Sequence, residues 1–71
     1  MVELDARGLS CPEPVLMVKR TVDNGDKDIS ITVDNVVAVE NIKRFCNHAG
    51  LNAESVENSD GDFDIRICEK N

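Results

Sequence analysis

Ile29-Ser30-Ile31-Thr32-Val33-Asp34-Asn35 decides how this chain folds. The first five residues alternate apolar and polar, the period of a strand that buries one face, and Ile29, Ile31 and Val33 share that face. Asp34 and Asn35 then interrupt the alternation with side chains that accept hydrogen bonds from a helix's first turn. The helix-periodic run that follows reaches about Ala49, just before Gly50, and gathers Ala38, Ile42, Phe45 and Ala49 on one side.

Toward the N-terminus, Val2-Glu3-Leu4-Asp5 alternates as a short strand that Gly8 breaks. A helix is predicted over Pro12 to Asp23, because proline suits the first helical position and Asn24-Gly25 is a stop signal. Val15, Val18 and Val22 form its buried stripe, while Leu16 and Met17 fall toward the opposite side with Glu13 and Arg20. Toward the C-terminus, Asn52 to Asn58 reads as a weaker strand. The turn cluster Asn58-Ser59-Asp60-Gly61 then leads into alternating Phe63-Asp64-Ile65-Arg66-Ile67. The order is β-α-β-α-β-β. It predicts an α/β (α+β) two-layer sandwich whose mixed four-stranded sheet carries both helices on one face. Ser30, Thr32, Asp64 and Arg66 are expected on the open face, and residues 1–71 read as one domain.

Composition narrows the function. Two phenylalanines are the only aromatic residues, so the core rests on Val, Ile and Leu. A net charge of −6 lacks the basic footprint of a general nucleic-acid binder. No apolar run is long enough to span a membrane, and the first residues do not read as a signal peptide. Three widely spaced cysteines, at 11, 46 and 68, form neither a disulfide framework nor a C-x-x-C zinc pattern. A reducing, cytoplasmic setting is expected. No motif calls for a metal or a cofactor.

The chemistry concentrates at Ser10-Cys11-Pro12-Glu13-Pro14. The prolines place Cys11 at or next to the N-cap of the first helix, beside the positive end of its dipole, where thiols gain thiolate character. Pro12 and Pro14 lack N–H groups, which leaves those of Glu13 and Val15 as free donors near the sulfur. Arg7, across the Gly8 turn, is expected to add positive charge, and Glu13 to oppose it. Lys19 lies about 12 Å along the helix, too far to act on the sulfur; with Arg20 it suits docking of a partner or a phosphate, or is simply solvated charge. Leu16 and Met17 form a candidate apolar docking spot on the outer side of the helix. Cys46 reads as core, Cys68 as a free thiol on the polar side of the last strand, and His48 as a helix-end cation.

Asp5-Ala6-Arg7-Gly8-Leu9-Ser10-Cys11-Pro12-Glu13-Pro14-Val15 resembles the signature of the TusA/SirA/YedF family of small sulfur carriers: a D-x-x-G-x-x-C-P-x-P run, then a helix bearing a lysine, here Lys19. Val33-Asp34-Asn35, Ala38, Glu40-Asn41 and Arg44-Phe45 look most like the N-terminal domain of the YedF-type branch, whose members are linked to selenium metabolism. The resemblance spans nearly the whole chain. The fold it implies is similar to the C-terminal domain of translation initiation factor 3. It implies a sulfurtransferase in which Cys11 takes a persulfide sulfur from a cysteine desulfurase or another donor protein. Cys11 would then pass it to an acceptor for tRNA thiolation, cofactor assembly or a selenium-related pathway. Residues around the cysteine, namely Arg7, Pro12, Glu13, Pro14, Leu16, Met17, Lys19 and Arg20, are the candidates for contact with substrate or partner. The alternative is a non-catalytic module that uses the same helix end to hold an anion or dock a partner. RNA binding by analogy with the initiation factor is disfavoured by charge and by the lack of surface aromatics.

Overall fold

In chain order the elements are β1 (Val2–Asp5), α1 (Glu13–Asp23), β2 (Ile29–Val33), α2 (Val36–His48), β3 (Leu51–Glu57) and β4 (Phe63–Glu69). The computed structural model describes residues 1–70. The fold is α+β, with a mixed four-stranded sheet in the order β1-β2-β4-β3. β1 runs parallel to β2, pairing Val2 with Ile29 and Leu4 with Ile31. β4 is antiparallel to both of its neighbours, β2 and β3.

Strand order follows from which residues must be buried most. β4 aligns Ile65 with Ile31 and Ile67 with Ile29, and all four side chains are fully buried. β3 offers Leu51, Ala53 and Ser55 inward and carries Glu54 and Glu57. The strand with the larger apolar side chains therefore takes the interior slot, and β3, with smaller inward side chains, takes the edge, where its glutamates discourage pairing with another chain. The connection through α2 skips one position, and the hairpin returns β4 into the gap. Asn58 closes that hairpin: its Oδ1 accepts the N–H groups of Asp60 and Asp62 at 2.9 and 3.1 Å.

Both helices cover the apolar face of the sheet. α2 begins as expected at Asn35, whose Oδ1 accepts the Ala38 N–H at 2.8 Å. Its buried side is Ala38, Val39, Ile42 and Cys46, with Phe45 partly buried. Ala49, expected on that face, is instead the exposed C-cap residue. α1 starts one residue later than predicted, with Pro12 as N-cap and Glu13 first in the helix. Val18 is fully buried, Val15 and Val22 partly so, and Pro14 joins the buried set. On the open face, Thr32 donates to Asp64 Oδ1 at 2.7 Å, and Arg66 pairs with Asp28 at 2.6 Å.

Asn35→Ala is expected to cost about 1 kcal/mol, since the α2 N-terminus loses its only side-chain cap among the described residues. In a domain of this size that lowers Tm by about 4–8 °C. Thermal unfolding followed by circular dichroism checks it, and an unchanged Tm would show that the cap contributes nothing.

Candidate functional site

The site is a loop held between two helices. β1 ends at Asp5, Ala6 is buried beneath the helices, and the chain then turns outward at Gly8. Gly8 has φ of +78°, a conformation that side-chain-bearing residues rarely adopt. Its N–H donates to Asp34 Oδ2 at 2.6 Å, which ties this loop to the turn that starts α2. That bond is the main reason the Asp34 carboxyl lies below its ordinary value of 3.8; a bond from Asn35 adds to the effect.

Cys11 is exposed and directly precedes the α1 N-cap, Pro12, through a cis peptide. The Ser10 carbonyl accepts the Glu13 N–H at 2.9 Å, closing a turn across Cys11 and Pro12. Glu13 N–H, one of the two donors expected to be free, is therefore taken. Cys11 Sγ is instead met from the neighbouring helix: Asn41 Nδ2 on α2 stands 3.1 Å away and donates to it. Asn41 is half-buried, and Arg44 Nη1 lies 3.5 Å from its Oδ1, at the other end of the amide.

Among the described residues Arg7 bonds to carboxylates and not to the sulfur. Its guanidinium grips Asp5 through Nε and Nη2 at 2.9 and 2.8 Å and lies 3.6 Å from Asp62. The side-chain bond to Asp5 is the largest cause raising its pKa above an already high value. In return the Arg7 side chain, and then its backbone N–H, hold the Asp5 carboxyl at about 2. The positive charge expected beside Cys11 is thus spent on two carboxylates.

The other predicted positions lie along α1. Glu13 is exposed in its first turn, and Pro14 is buried. Leu16 and Met17 are half-buried, and Met17, expected with Leu16 on the outer side of the helix, instead packs against the core, so the outer apolar spot reduces to Leu16 and the exposed part of Met17. Lys19 pairs with Asp23 at 2.8 Å, while Arg20 is exposed and forms no ion pair among the described residues. Cys46 is buried, and burial pushes its thiol up to about 11, so it stays protonated at neutral pH. Cys68 is half-buried on the open face, paired with Asn52 beyond the Ile29–Ile67 row. Cys11 follows the other end of β1 and contacts the helical layer. The two thiols stand at opposite ends and on opposite sides of the sheet, so Cys68 is no intramolecular partner for Cys11.

Residues 2–69 match the model of the family described as "Sulfurtransferase TusA". The chain belongs to the TusA family. It is 35% identical over 69 residues to the protein named "Putative sulfur carrier protein MJ0990" of Methanocaldococcus jannaschii, an alignment that covers 94% of this chain and 92% of that one. The fold resembles the crystal structure of a SirA-like protein from Desulfitobacterium hafniense. The TM-score is 0.86 at 24% identity, over 99% of this chain and 100% of that chain. Membership of the TusA family makes sulfur transfer the chemistry of this protein, and a sulfur carrier works between a donor and an acceptor.

Asn41 is the site residue that had no role from sequence. In the sequence it stands only within a Glu40-Asn41 pair that resembles the YedF-type branch, and its spacing from the apolar positions of α2 says only that it sits on a flank. Which flank faces Cys11 depends on how α1 and α2 pack.

The Gly8–Asp34 tether is pH-dependent. A carboxyl lowered by folding stabilises above its unfolded value of 3.8 and loses that contribution as pH falls through its lower folded value. The Gly8 amide resonance is expected to titrate with a midpoint below 3.8, and Asp34→Ala to speed hydrogen exchange at that amide. A midpoint at or above 3.8 in the NMR titration would show that the tether is absent in solution.

Proposed function

We propose that Cys11 receives a sulfane sulfur as a persulfide, from a cysteine desulfurase or related donor protein, and relays it to an acceptor protein. tRNA thiolation, cofactor assembly and a selenium-linked pathway of the YedF type are the candidate destinations, in a cytoplasmic setting. In loading, the Cys11 thiolate attacks the outer sulfur of the donor's persulfide. A bond forms from Sγ to that sulfur, the donor's S–S bond breaks, and the electron pair leaves with the donor cysteine as thiolate. Delivery repeats the step with Cys11 as the leaving group, so no external oxidant or reductant is consumed.

The observation that carries this reading is the exposure of Cys11 at the positive end of α1, where another protein's cysteine can reach it. A relay between proteins requires access more than enclosure. In this reading residues 1–71 act as one carrier domain, and the partner approaches across Pro12 and Glu13 and along α1, while Pro14, expected at this surface, is buried beneath it. Glu13, Lys19 and Arg20 supply charge there, with half-buried Leu16 and Met17 between them. Arg7 contributes through the shape of the loop.

Incubation with a cysteine desulfurase and cysteine is expected to add one sulfur to the Cys11 peptide, detected by mass spectrometry and lost in Cys11→Ser. The loaded protein should surrender that sulfur to an acceptor thiol. No adduct on Cys11 with several desulfurases would favour a binding module instead. Arg20→Glu should slow loading from the protein donor severalfold while leaving loading from inorganic polysulfide unchanged; equal rates from the protein donor would remove Arg20 from the docking surface.

A further inference from the structure

Asn41 is placed to act on the sulfur itself. The first turn of α1 gives that sulfur no backbone bond: Pro12 and Pro14 have no N–H, the Glu13 N–H is bonded to the Ser10 carbonyl, and the Val15 N–H, the other donor expected near the sulfur, makes no bond to it among the described residues. Asn41 Nδ2, 3.1 Å from Cys11 Sγ, is the only side-chain donor to it among the described residues. The amide is half-buried on the flank of α2, and Arg44 Nη1 stands 3.5 Å from its oxygen, the arrangement that turns the NH2 group toward the sulfur.

We propose that Asn41 is a catalytic residue of the transfer, donating to Cys11 Sγ whenever that atom carries negative charge. This inference rests on the reading of Cys11 as the persulfide carrier. Sγ is anionic twice in the cycle: as the attacking thiolate in loading, and as the leaving thiolate when the acceptor takes the outer sulfur. While the persulfide is in place, Sγ is the neutral inner sulfur, bonded to the sulfur in transit. A donor aimed at Sγ therefore favours the states that flank the persulfide, and it accelerates discharge by stabilising the leaving group. Hydrogen bonds to charged groups are the strong ones.

Inorganic polysulfide and cyanide test this without any protein partner. Wild-type protein is loaded with polysulfide, and the adduct is located on Cys11 by mass spectrometry. Discharge by cyanide is followed as thiocyanate release, and the unloaded thiol is assayed by alkylation with iodoacetamide at pH 7. Asn41→Ala is expected to slow discharge by up to about tenfold, the scale of one lost hydrogen bond to a charged atom, and alkylation by about threefold, because losing the bond lowers the thiolate fraction while making each thiolate a better nucleophile. Asn41→Asp, the same shape with a repelling charge, should slow both further, and Arg44→Ala less than either. Thermal unfolding of each variant shows that the fold is intact. Wild-type rates in both Asn41 variants, with wild-type protein loading normally, would overturn the role of Asn41 and leave the carrier reading standing. Absence of any sulfur adduct on wild-type Cys11 would overturn both.

Discussion

Burial of one face of a four-stranded sheet beneath two helices is the constraint on which the rest of this protein depends. Ile29, Ile31, Val33, Ile65 and Ile67 cover that face with no exposed surface, and Val18 and Ile42 meet them from the helices. A small domain buries a modest fraction of its surface, so few alternative packings satisfy so compact an apolar set. Once the helices lie side by side over these isoleucines, their flanks are in contact. The residues on those flanks meet whether or not they are near in sequence.

The site grows out of that contact. Cys11 stands where β1 gives way to α1, and Asn41 stands one turn beyond Val37 on α2. The Gly8–Asp34 bond joins the same two segments at their other junction. Loop and helix are thus linked at two points, through a carboxylate and through the sulfur. The geometry at Cys11 is set by packing and by these two bonds, with the helix dipole as a background field. Arg7, which the local sequence places near the sulfur, is committed to Asp5 and Asp62.

The three cysteines divide by environment. Cys46 is sealed in the core and held protonated by burial, so it contributes volume rather than chemistry. Cys68 sits on the far face and at the far end of the sheet from Cys11. Cys11 alone combines exposure with a helix N-terminus and a hydrogen-bond donor. Under the proposed relay that separation suits a carrier, since an internal thiol within reach would compete for a sulfur bound to Cys11 by forming a disulfide and expelling it.

Local sequence determined a good deal by itself. The strict alternation from Ile29 to Val33 is a local pattern of which side chains seek burial, and the Asn35 cap and the turn at Asn58 to Gly61 are side-chain-to-backbone bonds within a few residues. The element order and the place of Cys11 before a proline-led helix follow from them. Tertiary structure decided what depends on distant segments. The insertion of β4 between β2 and β3 reflects the competition of two strands for the most buried slot. Arg7, already held by its neighbour Asp5, also meets Asp62, 55 positions away. Asn41 on Cys11 spans 30 positions. Periodicity places Asn41 on a flank of its helix, but only the packing of that helix against α1 determines what the flank touches.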